Sequence, residues 1–208
     1  MIRFALWRHD RTLREYEGLP ASVVGEETMT ARTNAVAKWA TEKGKYIGWV
    51  ADDNRFRSVG WDREVLSALQ DVPIVFGNDE VSPGSKPSHV FMDARIVKTL
   101  GWIVHPDLRS TFFDDVWANL GAGPIDVSRP LFERDALPSW SRLRQAVSRS
   151  DNGLGLVYLP NVEIPHLYTE RDNSANFLAD METYQHWLRH DCEDDIRRVQ
   201  KALRSHAR

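Results

Sequence analysis

Residues 44–62 read GKYIGWVADDNRFRSVGWD, a hydrophobic run that stops on two adjacent aspartates and continues into an aromatic, glycine-containing loop. The apolar part, KYIGWVA, reads as a strand. Asp52 and Asp53 follow it directly, so at least one carboxylate must stand at the lip of a sheet rather than inside it. Upstream, TMTARTNAVAKWATEKG (28–44) has the pattern of a helix. Thr28 or Thr30 is placed as its N-cap, Ala31, Ala35, Val36, Trp39 and Ala40 form its inner face, and Gly44 terminates it. Downstream, Asp62 is placed to cap a short helix, REVLSALQ, and the strand VPIVFG then ends on a second polar tip, Asn78-Asp79.

Working outward, residues 2–7 (IRFALW) read as a buried strand ending in the polar turn His9-Asp10-Arg11. Helices are expected at 92–100, closed by Gly101, and at 112–120, closed by Gly121. LGLVYLPNVEIPHLY (154–168) reads as one or two strands interrupted by Pro160 and Pro165. From Phe177 onward, Met181, Tyr184, Leu188, Cys192, Ile196, Val199 and Leu203 recur at spacings of three and four, the stripe of one long amphipathic helix over 177–205. The stretch 122–153 is rich in Gly, Pro, Ser and Arg and has weak periodicity, which predicts an insertion or flap. Alternating strands and helices with polar strand ends indicate a single α/β domain over 1–208, in which ligands bind at the carboxyl ends of the strands.

Hydrophobic residues make up 42% of the chain and charged residues 27%, so it has the composition of a globular protein rather than a disordered one. A net charge of −3 argues against a broad electrostatic grip on nucleic acid or anionic membrane. The one cysteine, Cys192, excludes an intramolecular disulfide and a cysteine-based zinc site, which fits a reducing compartment such as the cytoplasm. Nowhere do about 18 apolar residues run together, so no membrane span is expected.

Two ionised carboxylates held close repel each other unless a cation neutralises them. Mg²⁺ or Mn²⁺ suits such a pair, because hard cations take oxygen ligands and often use one or two carboxylates plus substrate phosphates. The plainer reading is that Asp52 and Asp53 cap a turn through their side chains.

The segment RTNAVAKWATEKGKYIGWVADDNRFRSVGWDREVLSALQDVPIVFGND (32–79) resembles the middle of GT-A-fold glycosyltransferases, in particular the small family-2-like enzymes common in bacteriophage genomes. The matching positions are Asn34, Asp52-Asp53, Phe56, Gly60-Trp61-Asp62 and Phe76-Gly77-Asn78-Asp79. The resemblance continues through FMDARIVKTLGW, FFDDVWANLG, LVYLPNVEIPHLY and ADMETY, covering roughly residues 30–185 with a break at 122–153.

The resemblance implies a GT-A-like mixed, mostly parallel sheet flanked by helices. It also implies a metal-dependent enzyme that moves a sugar from a nucleotide-diphosphate sugar to a hydroxyl acceptor, a glycan or a modified nucleic-acid base. Asp52 and Asp53 would hold Mn²⁺ or Mg²⁺, Asp53 more directly, and His166 would complete that site. Asp114 or Asp115, Asp114 in preference, would activate the acceptor hydroxyl. Asp10, Arg32 and Asn34 would face the donor, and Trp61, Asp62, Asn78 and Asp79 would shape the acceptor side.

If the phage resemblance extends to biology, the place of action is the host cytoplasm. The family's usual first strand and helix have no counterpart ahead of IRFALW: if IRFALW is the second strand, much of the nucleoside pocket is missing, and if it is the first, the second is shortened away. A non-catalytic binding protein derived from such an enzyme and a nucleotidyltransferase of similar architecture are the competing readings, the latter disfavoured by the lack of a Gly-rich, basic phosphate loop.

Overall fold

The strand expected after Gly44 forms, and its neighbours decide the architecture. In the computed structural model, residues 4–9, 13–25, 28–51, 53–81, 83–124, 146–148, 152–166 and 174–205 are described. The first half of the chain runs through β1 (Phe4–Trp7), a 3-10 turn (Leu13–Tyr16), β2 (Ala21–Val24), α1 (Met29–Lys43), β3 (Tyr46–Trp49), α2 (Trp61–Ala68) and β4 (Ile74–Asn78). The second half holds β5 (Val90–Asp93), α3 (Ala94–Leu100), α4 (Phe113–Ala122), β6 (Ala146–Ser148), β7 (Leu156–Glu163), α5 (Ser174–His190) and α6 (Cys192–Arg204).

Five strands form one sheet in the order β3-β5-β4-β7-β6, while β1 and β2 pair in parallel as a separate two-stranded sheet. The protein is thus α/β, but the main sheet is not mostly parallel. Only β4 and β7 pair in parallel, and the other neighbours are antiparallel. The cause is β5, whose last two residues, Met92 and Asp93, the sequence reading assigned to a helix. A short apolar run such as VFMD suits a buried strand and a helix equally by periodicity. Here it enters between β3 and β4, running against both, and Asp93 becomes the N-cap of α3 by accepting from Arg95 N at 2.8 Å.

Period-two alternation distributes the core over both faces of the sheet. Ile74, Phe76, Val90, Met92, Leu156 and Tyr158 face the larger core with α3, α4 and α6, whereas Val75, Phe91, Val157 and Leu159 face a smaller one under α2. At the strand junction the register of β4 on β7 shifts between Gly77 and Asn78. Pro160 lies in that irregularity, where its missing N–H costs no ladder bond, so β7 passes through the proline as one strand. A Cβ at Gly77 would stand 2.4 Å from Val162 O, and glycine is required there by this close approach.

Several helix details differ from expectation. Thr28 does cap α1, accepting from Ala31 N at 3.1 Å, and Gly44 ends it, but the buried face is Thr30, Thr33, Ala37 and Thr41 rather than the alanine and tryptophan stripe. Threonine is tolerated there because a hydroxyl can bond back within the helix, as Thr41 does to Lys38 O at 2.8 Å. Gly60, in the left-handed region at φ 79°, precedes α2, so Asp62 lies in the first turn and favours the helix dipole without capping. α4 runs past Gly121 to Ala122 and closes at Gly123.

Of the C-terminal stripe, Tyr184, Cys192, Ile196 and Val199 are buried, Met181, Leu188 and Leu203 are half-buried, and Phe177 is exposed. The stripe spans two helices rather than one, broken at Asp191 and held at the break by Trp187 Nε1 donating to Asp195 Oδ2 at 3.0 Å. Most of the 122–153 segment lies outside the described residues; β6 within it adds an edge to the main sheet.

The connection from α3 to α4 carries no regular structure, and side chains from distant elements satisfy its backbone. Asn34 accepts from Ile103 N and Val104 N and donates to Val104 O, at 2.8–3.1 Å. Trp117 Nε1 donates to Ile103 O at 2.8 Å. The buried Asp180 carboxylate accepts from the backbone N–H groups of Arg109, Ser110 and Thr111 and from the Thr111 hydroxyl, each at 2.9 Å.

Hydrogen bonds to a charged group are among the stronger ones, and stranding their partners costs more than the bonds contribute. Asp180→Ala is therefore expected to lower stability by about 3 kcal/mol in urea unfolding. A loss under about 0.5 kcal/mol, the level of an ordinary surface change, would show that the clamp does not hold this segment.

Candidate functional site

Because β3 and β4 both run against β5, and β7 runs with β4, the carboxyl ends of β3, β4 and β7 emerge at one edge of the sheet. The chain after β3 turns tightly, with Asn54 N donating to Ala51 O at 3.2 Å and Ala51 N to Asn54 Oδ1 at 2.8 Å. It then runs along the end of β7: Arg55 N donates to Pro165 O and Arg57 N to Glu163 O, both at 3.0 Å. Asn54 and His166 form an antiparallel bridge. Ser58 completes the seam, donating to Asn161 O at 2.8 Å and accepting from Glu163 N at 2.6 Å.

This seam brings Asp53 and His166 together from opposite halves of the chain, His166 Nε2 standing 3.0 Å from Asp53 Oδ1. That oxygen is buried and accepts no aligned hydrogen bond, so the approach is a close contact rather than a directed bond. A buried carboxylate oxygen beside an imidazole nitrogen, on two side chains that are each partly exposed, has the donor chemistry that a divalent cation takes. Asp52 and Asp10 lie outside the described residues. Among the described residues, no group of three or more His, Cys, Asp or Glu is placed to hold a metal ion.

Asn78 and Asp79 serve this same edge. Asn78 O accepts from Ile164 N and Asp79 O from His166 N, at 2.8 and 3.1 Å, so the β4 tip fixes the backbone that carries His166. Asn78 Oδ1 accepts from Glu80 N and Asp79 Oδ1 from Val81 N, which braces Glu80 in the left-handed region at φ 63°. Trp61 is half-buried, its ring 4.2 Å from Phe56 and 5.5 Å from Phe91, and Asp62 is exposed beside it. Of the residues expected at the donor, Arg32 is half-buried on α1, while the Asn34 amide makes three bonds to the 103–104 backbone, which is a structural duty.

A second group of charges stands nearby on the N-terminal turn of α4. Trp49, at the end of β3, packs against Phe113 and Trp117 with centroids 6.2 and 5.2 Å apart, which sets this turn next to the strand ends. Asp115 is 4% exposed at its side chain and pairs with Lys86 Nζ at 2.7 Å, whereas Asp114, 34% exposed, lies 3.8 Å from the same ammonium. Burial works against the charged Lys86, but Asp114 and Asp115 outweigh it and hold the ammonium above its ordinary value. Enclosure by its neighbours, and then the Asp115 charge, push the Asp114 carboxyl up to about 6, although its edge is open to solvent.

Lys86 and His89 escaped the sequence reading. Lys86 sits in the polar stretch SPGSKPSH, where nothing marks one lysine as paired. His89 is fully buried, and its Nε2 accepts from Gly77 N at 2.9 Å, which places the ring proton on Nδ1, 3.3 Å from Ser88 Oγ. The one available signal was Gly77 in a buried strand: a Cβ there would stand 3.0 Å from His89 Nε2. A shallow cavity of about 530 Å³ opens elsewhere, around Lys45, Asp93, Arg95 and Lys98. It belongs to the opposite end of the sheet, and its Asp93 and Arg95 are bound to each other at 2.6 Å, so it is not part of this site.

No family model, no curated protein and no solved structure matches this chain. No helix among the described residues is long and apolar enough to cross a membrane.

Burial, and then the nearby His166, lower His89 to about 3. Between pH ~6.5 and ~3 the unfolded chain therefore binds a proton that the folded chain refuses, and stability falls as pH drops through that window. His89→Gln, which keeps an acceptor for Gly77 N, is expected to reduce the slope of unfolding free energy against pH by up to about one proton. An unchanged slope would show that His89 protonates freely in the folded state.

Proposed function

We propose that this chain is a metal-dependent glycosyltransferase, moving a sugar from a nucleotide-diphosphate sugar to a hydroxyl acceptor on a GT-A-like scaffold. The observation that carries the reading is the meeting of Asp53 and His166 at the strand ends, with a buried Asp53 oxygen that accepts no hydrogen bond. Asp53 and His166, with Asp52 adjacent in the chain, are the residues that would hold Mn²⁺ or Mg²⁺. A divalent ion there would neutralise the diphosphate of the donor as it leaves.

The other half of the chemistry falls to Asp114. Of the two α4 carboxylates it alone reaches solvent to a useful extent, because Asp115 is buried in its pair with Lys86. A carboxyl raised above the ordinary carboxylate range is better matched to proton transfer near neutral pH than an unperturbed one. In the proposed step Asp114 takes the acceptor hydroxyl proton, the oxygen forms a bond to the anomeric carbon, and the bond from that carbon to the diphosphate oxygen breaks. Enclosure and then the Asp115 charge keep the Asp114 carboxyl basic, and Lys86 offsets the repulsion between the two carboxylates.

The test is nucleotide release from a panel of UDP-, GDP- and dTDP-sugars with Mn²⁺ and candidate glycan or modified-nucleoside acceptors. Asp53→Ala is expected to abolish turnover while circular dichroism stays unchanged. Asp114→Asn is expected to lower kcat by about 10²–10⁴ with little change in donor KM. Full activity of Asp53→Ala would remove the metal reading, and full activity of Asp114→Asn would remove the base. Correctly folded wild-type chain that neither binds nucleotide nor turns over any donor would favour the non-catalytic binding protein.

A further inference from the structure

On the exposed face of α5, well away in sequence from the strand-end site, two histidines stand on successive turns. His186 and His190 are four residues apart, which places them as neighbours along one helix face. Both are exposed, and their ring centroids are 4.6 Å apart with an interplanar angle of 44°. Two imidazoles bound in adjacent positions of one ion, with metal–nitrogen bonds of about 2.0–2.1 Å, have centroids roughly 4.5–5 Å apart. The observed centroid separation falls within that range.

The surroundings favour a cation. Glu182, one turn before His186 on the same stripe, is exposed. Arg189, the cation adjacent in sequence, is directed to Gln185 at 3.3 Å. The helix under the pair is anchored to the core by buried Trp187 between the two histidines and by Tyr184 one turn earlier. A preorganised pair avoids much of the ordering cost of bringing two side chains together.

We propose that His186 and His190 form a two-histidine chelating site for a borderline transition-metal ion, with waters completing the coordination. Imidazole nitrogen selects Zn²⁺, Ni²⁺ and Cu²⁺ over Mg²⁺ or Ca²⁺, and Cu²⁺ binds most tightly in the divalent series. The site is chemically distinct from the Asp53–His166 site, whose carboxylate suits hard cations.

The test uses the full chain titrated with Cu²⁺ and with Zn²⁺, followed by calorimetry and, for Cu²⁺, by electron paramagnetic resonance. Wild type is expected to bind an ion with a nitrogen hyperfine pattern from two imidazoles. His186→Ala and His190→Ala are each expected to weaken that binding by about 10²-fold, the loss that follows when one of two linked binding groups is removed. Both positions are exposed on a helix, where alanine is well tolerated, so helicity should be unchanged. His166→Ala should leave this event intact. Equal Cu²⁺ and Zn²⁺ binding by wild type and the double variant H186A/H190A would overturn the proposal.

Discussion

The backbone of the α3–α4 connection must be hydrogen-bonded without forming a helix or strand, and the arrangement around the strand ends depends on how this is done. Residues 103–104 and 109–111 are held by the Asn34 amide, the Trp117 indole and the Asp180 carboxylate, which come from three different helices. A buried peptide group without a partner costs of the order of 1–3 kcal/mol, so these side chains are not optional. By fixing the connection they fix where α4 starts, and with it the position of Asp114 and Asp115. Asn34 and Asp180 therefore shape the site from a distance, through backbone geometry.

A second constraint acts where β4 meets β7. Gly77 allows His89 Nε2 and Val162 O to approach the β4 backbone closely, and the register then shifts so that Asn78 pairs with Glu163. The irregularity displaces the end of β7 and presents Ile164 N and His166 N to the carbonyls of Asn78 and Asp79. The loop after β3 binds the other side of the same segment. His166 is thus clamped between two strand ends, which explains why a residue beyond Pro165 holds a defined place beside Asp53.

The electrostatics divide the edge into two parts. Around Asp53 and His166 a carboxylate and an imidazole face each other, while around Lys86 one ammonium serves two carboxylates of unequal exposure. The two carboxylates differ: the buried Asp115 holds the lysine, while enclosure and then the Asp115 charge raise the proton affinity of Asp114. Two adjacent aspartates in a helix's first turn are indistinguishable as letters, and only their surroundings separate the roles.

By itself the sequence determined that strands and helices alternate, that α1 starts at Thr28 or Thr30, that α3 stops at Gly101, that a C-terminal apolar stripe packs on the core and that carboxylates stand at strand ends. These are local properties, set by periodicity and by backbone preferences of single residues. Only the tertiary structure decided that VFMD is a strand between β3 and β4, which turns an expected mostly parallel mixed sheet into one whose neighbours are mostly antiparallel. It also decided that α1 buries threonines, that the C-terminal stripe bends at Asp191, and that Asn34 and Asp180 brace the backbone. The pairing of Asp53 with His166, and of Lys86 with Asp115, was equally beyond local reading. Each depends on which distant groups satisfy a buried polar atom, and that follows from the packing of whole elements rather than from spacing along the chain.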